Sequence, residues 1–165
     1  MLTVTAKIKI YLACEQITTL KETMAADRSG CNFVSGIVFE SGQLSQRLLH
    51  ENTDRPLREH FSLRSQMAQS IMKTVILKYK AARSNGHDWC FVKFKKPEYD
   101  LVWNRDYSIS GKLFSINTLS GRIKVPFEPK GMAHYFDGSW AFDQLRQMRS
   151  QNQGKPRQKE ARFFL

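Results

Sequence analysis

The chain has 165 residues, 41% of them hydrophobic and 12% aromatic, which suffices for a packed core and excludes a disordered chain. Its 26 basic and 15 acidic residues give a formal net charge of +11, which predicts attraction to phosphate backbones or to an anionic surface. Because no run of about 18 apolar residues occurs and the N-terminus lacks a signal-peptide pattern, we expect no membrane partner and a cytoplasmic location beside the prokaryotic nucleoid.

The first elements in chain order are a strand and a helix. Apolar and polar residues alternate from Thr3 to Tyr11, which is typical of a half-buried strand. Apolar residues then recur at helical spacing from Glu15 to Glu40, with a break expected at Ser29-Gly30. A short helix is predicted from Leu44 to Glu51, and Thr53 to Pro56 has the composition of a turn, since proline disfavours helix at the residue before it.

A further helix is predicted from Leu63 to Arg83, with Ser62 as its N-cap. One face carries apolar residues four apart, which we expect to be buried: Met67, Ile71, Val75 and Tyr79. Another face carries two amides and two ammonium groups in one stripe: Gln66, Gln69, Lys73 and Lys80. Such a stripe is typical either of a helix that contacts a nucleic-acid groove or of an ordinary solvated face.

From Ser84-Asn85-Gly86 onward the pattern changes to short strands: Phe91 to Lys95, Leu101 to Trp103, Tyr107 to Ser110, Lys112 to Asn117 and Arg122 to Phe127. Turn residues separate them, so the last three form a predicted meander. Joined by the N-terminal strand, they predict an α+β fold, a small antiparallel barrel interrupted by a helical insertion. Because side chains alternate in direction along a strand, we expect four basic residues of one sheet to point into solvent on the same face: Lys93, Lys95, Arg122 and Lys124.

The C-terminal segment predicts two strands, Phe142 to Arg149 and Ala161 to Leu165, around a basic loop rich in glutamine and asparagine. Because the sequence ends in apolar residues, we expect that it derives from a longer ancestral protein that was cut at this strand.

Catalytic and metal-binding motifs are not evident in the sequence. Three separate cysteines, Cys14, Cys31 and Cys90, predict buried thiols rather than disulfides or a zinc knuckle. The carboxylates nearest the strands each lie beside a turn, proline or glycine, so they are interpreted as surface turn residues: Asp100, Asp106, Glu128 and Asp137.

Three segments resemble the N-terminal part of TnpB (OrfB) proteins, transposon-encoded RNA-guided DNA endonucleases that are related to type V CRISPR effectors. FESGQLSQRLLHENTDRPLREHFSLRSQMAQSIMKTVILKYK is similar to the helices of their recognition lobe. FKKPEYDLVWNRDYS and GRIKVPFEPKGMAHYFDG are similar to the wedge-domain strands that follow. The similarity runs in order from about Thr3 to Gly138, whereas residues 141–160 depart from the pattern and Ala161 to Leu165 resembles the strand before the nuclease domain.

The resemblance implies a first wedge strand over 1–12, a helical recognition lobe over 13–86 and the rest of the wedge barrel over 87–165, truncated before the RuvC-like domain. It implies binding of a guide RNA scaffold from the transposon end and of motif-adjacent double-stranded target DNA, with a separately encoded nuclease portion as an expected partner. The family's RuvC carboxylates and zinc ribbon, which use Mg²⁺ and Zn²⁺, are missing, so we expect no cofactor in this chain and no activity of the chain alone. Alternatives are an inactive truncated transposase product, a stand-alone RNA- or DNA-binding regulator, and an unrelated RNA-binding protein of the translation apparatus.

The expected contacts divide into three sets. DNA-motif reading is assigned to Arg64, Ser65, Gln66, Gln69, Lys73 and Lys80. Phosphate contacts with RNA are assigned to Arg55, Arg58, Lys93, Lys95, Lys96, Arg105, Arg122 and Lys124, although Arg55 and Arg58 could instead pair with neighbouring carboxylates. Base stacking is assigned to Trp103 and Tyr107, with burial in the core as the alternative.

Overall fold

The computed structural model describes residues 8–96, 101–129, 131, 133–136, 146–150 and 161–164. Its helices are α1 (Cys14–Ser41), α2 (Gln46–His60) and α3 (Ser65–Ser84), with a 3-10 turn at Ala133–Phe136. Its strands are β1 (Lys9–Ile10), β2 (Tyr107–Ser110), β3 (Leu113–Thr118), β4 (Gly121–Glu128), β5 (Arg146–Ser150) and β6 (Ala161–Phe164). The α+β class predicted from the sequence is confirmed.

The chain divides into two compact units. Met1–Glu22 and Asp100–Leu165 form one, called the sheet unit here, and Thr23–Tyr99 form the other, called the helical unit. The helical unit has 12 basic and seven acidic residues, and the sheet unit has 14 and eight, so each has a substantial positive charge. Both units therefore qualify as binding surfaces for an anion.

The sheet unit contains an antiparallel sheet of strand order β1-β4-β3-β2. The predicted meander is confirmed, and β1 joins it beside β4 with Ile10 opposite Phe127. Residues of alternate position are buried on one face, including Tyr107, Phe114, Ile116, Val125 and Phe127. The predicted β1 residues 3–7 lie outside the described residues.

The predicted barrel is wrong, because in the described part of the chain the four-stranded sheet is open. Two predicted strands are missing from it. Phe91 to Lys95 is not a strand and belongs to the helical unit, while Leu101 to Trp103 forms only isolated bridges, one of them joining Trp103 to Tyr107. Four short strands are too few for closure.

The C-terminal strands β5 and β6 pair antiparallel in a separate two-stranded sheet. This agrees with the two predicted strands over their described parts. Residues 142–145, 151–160 and 165 lie outside the described residues.

Helix α1 continues through the predicted break at Ser29-Gly30. Gly30 is buried, and a Cβ atom there would stand 2.9 Å from Cδ1 of Ile71 and 3.1 Å from side-chain carbons of Leu57 and Leu63. The glycine therefore permits close packing of α1 inside the helical unit, and it does not end the helix.

Helix α2 runs through the predicted turn at Thr53 to Pro56 and ends only at His60. Leu49, Thr53 and Leu57, four residues apart, are each 0–1% exposed, and α2 packs against α3. The Thr53 hydroxyl donates to the Leu49 carbonyl at 2.6 Å. Burial of this face stabilises the helix despite the hydrogen bond that Pro56 cannot donate.

Helix α3 lies close to its predicted bounds, and the predicted buried face is confirmed, since Met67, Ile71, Val75 and Tyr79 are 0–2% exposed. The predicted cap is wrong. Arg64 is the N-cap and makes no side-chain capping bond, whereas Ser62 takes a left-handed φ of 54° in the connection from α2.

Candidate nucleic-acid interface

The exposed face of the sheet carries basic and small polar residues. Arg122 and Lys124 are exposed on β4, where they lie opposite Asn117 and Ser115 of β3. Ser108 of β2 continues the row beside Ser115. This face has exposed cations for phosphate on β4, whereas Ser115 is 6% exposed with a buried hydroxyl and Ser108 is half-buried, so the phosphate contacts depend on the cations.

The turn before β2 brings Arg105 next to Arg122. The Arg122 guanidinium donates through Nη2 to the Arg105 carbonyl at 2.6 Å and through Nε to Oδ1 of Asn117 at 3.1 Å. Asn117 Nδ2 also donates to the Arg105 carbonyl, at 2.8 Å. Two residues predicted separately as phosphate contacts are thus joined through one carbonyl, which fixes the turn against the sheet.

Asp106 lies beneath this turn and is 1% exposed. Its Oδ2 accepts from the Val102 amide at 3.0 Å, while Oδ1 is buried without a hydrogen-bond partner. Burial raises the pKa of Asp106 above its ordinary value of 3.8, and the Val102 amide, Asn117 and the charges of Arg122 and Arg105 oppose that rise. The interpretation of Asp106 as a surface residue is therefore wrong, because this turn carboxylate faces inward.

The two predicted stacking residues differ in access. Tyr107 is 0% exposed, and its ring packs against Trp103 at 5.2 Å and Phe114 at 5.8 Å between centroids. Its predicted stacking role is wrong because neither ring face is open to a base. Trp103 is half-buried and meets Tyr107 edge-on, so its role stays a prediction.

In the helical unit, the end of α2 and the start of α3 border an open surface depression of about 770 Å³, called the arginine pocket here. Arg55, Arg58, Arg64 and Ser65 line it together with Asp54, Glu59 and Leu63. Residues assigned separately to RNA phosphate and to DNA, Arg55 and Arg58 on α2 and Arg64 and Ser65 at the start of α3, are thus brought to one place.

The arginines of this pocket are only loosely held. Arg55 pairs with Glu59 at 2.8 Å and Arg58 with Asp54 at 3.7 Å, both one helical turn apart, so the alternative of local ion pairing is also present. Arg55 and Arg58 are 84% and 56% exposed. The exposed pair of Arg55 with Glu59 contributes about 0.3–0.5 kcal/mol, whereas the Asp54 side chain is only 18% exposed. Helix α3 begins at this pocket with no acidic residue in its first turn, so its dipole favours an anion there.

The predicted stripe along α3 is partly accessible. Gln66 and Gln69 are half-buried, and Lys73 and Lys80 are exposed. Leu77, which is 58% exposed, lies between the two lysines at the same helical spacing. This face of α3 therefore also carries an exposed apolar residue, which the sequence pattern did not predict.

Lys93, Lys95 and Lys96 are exposed, but they are not on the sheet with Arg122 and Lys124. Their segment lies alongside α1. The Phe94 amide donates to Asn32 Oδ1 at 2.9 Å, and the Asn32 side chain donates back to the Phe94 carbonyl at 3.1 Å. The predicted alternation holds at Val92 and Phe94, which face inward, but the predicted common basic face of four residues is wrong.

Sequence reasoning missed three exposed aromatic residues of the helical unit, Phe39, Trp89 and Phe91. The available signal was the alternation of Trp89 and Phe91 with Cys90 directly before the lysines. Phe91 begins the predicted strand Phe91 to Lys95, and Phe39 is fifty residues away from Trp89 in the sequence.

The described residues contain no group of three or more His, Cys, Asp or Glu side chains placed to hold a metal ion. Glu128 is exposed on β4, while Asp100 and Asp137 lie outside the described part. None of the three cysteines forms a disulfide, and only Cys31 is buried; Cys14 and Cys90 are exposed, so their predicted burial is wrong. No helix among the residues described is long and apolar enough to cross a membrane.

Comparison with known proteins adds no family to these observations. The chain matches no protein-family model, and no curated protein matches its sequence.

Proposed function

We propose that this protein binds nucleic acid through its phosphate backbone, using the arginine pocket and the exposed face of the sheet. The arginine pocket carries the proposal. It combines three exposed or pocket-lining arginines, a serine hydroxyl and an uncapped start of a 20-residue helix in a single depression. Arginine guanidinium groups bind phosphate through paired N–H donors, and the exposed pair of Arg55 with Glu59 exchanges for phosphate at little cost.

The resemblance to TnpB proteins supports a narrower form of the same proposal. In that form the chain is the binding part of an RNA-guided system, holding the scaffold of a guide RNA from a transposon end and motif-adjacent double-stranded DNA in the cytoplasm. A separately encoded nuclease portion would supply cleavage. A stand-alone RNA- or DNA-binding regulator, or an inactive transposase product, would use the same surfaces without a nuclease partner.

Salt-dependent binding tests the backbone contact directly. Filter binding of structured RNA and of duplex DNA should weaken linearly with log salt, with a slope of roughly 0.9 for each duplex phosphate neutralised. The triple variant Arg55→Gln, Arg58→Gln and Arg64→Gln should bind more weakly and flatten the slope by about 2 to 3.

Arg47→Gln is the matched control. Arg47 lies on the same helix, is 89% exposed and pairs with Glu51 one turn away, but it does not line the arginine pocket. If Arg47→Gln lowered the binding affinity as much as replacement of each pocket arginine, the loss would follow removed charge alone. That result would contradict a specific role for the pocket. Sequencing of RNA that co-purifies with the protein then tests the narrower form, which requires enrichment of one structured transposon-end RNA over ribosomal RNA.

A further inference from the structure

Five of the six exposed large hydrophobic residues in the described part of the chain belong to the helical unit, and three of these five are aromatic. Phe39, Trp89 and Phe91 are 38%, 42% and 43% exposed, and they are called the aromatic platform here. The Phe39 and Phe91 rings meet at 6.2 Å and 80°, and the Trp89 indole N–H donates to the Phe39 carbonyl at 3.0 Å. Grouped exposed aromatic rings mark an interaction site more often than scattered ones do.

The platform is held in place before any ligand arrives. Trp89 packs on buried Tyr79 at 5.0 Å between centroids. The chain after it is fastened by Val92, whose amide donates to the Tyr79 hydroxyl at 3.3 Å and whose carbonyl accepts from Ser35 at 2.6 Å. Rings fixed in this way lose little conformational entropy when a flat ligand stacks on them.

Charge around the platform identifies the class of ligand. Lys93, Lys95 and Lys96 follow Phe91 directly and are exposed. Arg83, His87 and Asp88 line a cavity of about 380 Å³ together with Trp89 and Tyr79. Aromatic faces beside a run of cations suit a polyanion with exposed flat groups, which describes a nucleic-acid strand whose bases are unpaired.

We propose that the aromatic platform binds single-stranded nucleic acid, with bases stacked on Trp89 and Phe91 and the backbone running along Lys93, Lys95 and Lys96. This inference rests on the proposed nucleic-acid function and adds a strand class to it. A duplex does not fit the site, because its base faces are covered by their neighbours. Stacking is insensitive to base identity, so homopolymers of different bases serve equally as probes.

Tryptophan fluorescence reports on this site in a variant that keeps only Trp89, made by Trp103→Phe and Trp140→Phe. Titration with oligo(dT) and oligo(U) should quench the emission, and a duplex of equal length should not. Phe91→Ala should weaken oligo(dT) binding by about 5- to 150-fold, the loss of one stacked base, and leave duplex binding unchanged. Phe91→Tyr should restore the affinity, whereas Phe91→Leu, which is apolar without a π face, should not.

Leu48→Ala is the control, since Leu48 is an apolar residue of the same unit with a comparable exposure of 42% and lies outside the binding surfaces. Unchanged oligo(dT) affinity in Phe91→Ala, or full recovery by Phe91→Leu, would overturn the platform while leaving backbone binding intact. Absence of any nucleic-acid binding by the wild-type chain would overturn the proposed function as well. Trp89 emission that changes with protein concentration alone would indicate that a second copy covers the platform, and would overturn its assignment to a nucleic-acid strand.

Discussion

Replacement of Gly30 by alanine tests how α1 packs in the helical unit. The added Cβ would lie 2.9 Å from Ile71 Cδ1 and 3.1 Å from Leu57 Cδ2 and Leu63 Cδ1. Favourable carbon contacts lie near 3.5–4.0 Å, and these three side chains are 0–3% exposed, so they have little room to move. Overpacking of this kind costs about 1–3 kcal/mol.

Alanine also removes the backbone entropy cost of glycine in a helix, a gain of about 0.5–1 kcal/mol. We therefore expect Gly30→Ala to lower the free energy of unfolding by roughly 1 kcal/mol, within a range from no change to about 2.5 kcal/mol. Gly36→Ala is the control on the same helix, because no atom lies within 4 Å of its added Cβ. It should stabilise the protein by about 0.5–1 kcal/mol.

Urea unfolding followed by far-UV circular dichroism measures both variants. Ile71→Val removes the methyl group nearest to the new Cβ, so the cost of Gly30→Ala should shrink in that background, as a double-mutant cycle shows. If Gly30→Ala stabilised the chain as much as Gly36→Ala does, or if the cycle gave no coupling, the close packing inferred at Gly30 would be refuted.

Three further predictions concern the sheet unit and α3. The pKa of Asp106 is raised in the folded state, so ionisation of Asp106 destabilises the fold as pH rises from 3.8 through the folded-state pKa. Across that pH range Asp106→Asn should therefore gain stability relative to wild type. Parallel profiles of unfolding free energy against pH, measured by urea unfolding, would contradict this. Gln69→Ala should reduce the preference for matched over scrambled motif DNA by about 1–3 kcal/mol with an unchanged salt slope, whereas equal losses for both would mean a solvated face. Lys124→Gln should flatten the RNA salt slope by about one unit, and Lys112→Gln, exposed in the β2–β3 turn, should not.

Local sequence patterns were sufficient where one segment provides its own hydrogen bonds. The buried face of α3 follows from residues four apart, and the β2–β3 and β3–β4 turns follow from Ser110-Gly111 and Ser120-Gly121. Both turn glycines have a positive φ, 57° at Gly111 and 123° at Gly121, which glycine adopts without strain. Such elements carry their determinants within a few residues.

The errors occurred where a distant residue decides the local structure. Val92 and Phe94 alternate with lysines as in a strand, but their backbone groups pair with the side chains of Ser35, Tyr79 and Asn32 in place of a neighbouring strand. Alternation records only which side is buried, and it does not record what satisfies the backbone. The same limit applies to Pro56, whose helix is kept by tertiary burial of its neighbour Leu57.

The two basic surfaces differ in how firmly their arginines are committed before a ligand binds. Arg122 donates to the Arg105 carbonyl and to Asn117, so it supports the turn above buried Asp106 as well as facing solvent. Replacing it would disturb the fold and the binding surface together, and a loss of affinity would not identify a phosphate contact. Lys124 is exposed on the same face of β4 and makes no ion pair among the described residues. Replacing Lys124 therefore removes a positive charge without removing an ion pair that supports the fold. In the arginine pocket the exposed pair of Arg55 with Glu59 allows the same separation of charge from structure, because a phosphate can replace Glu59 without changing α2.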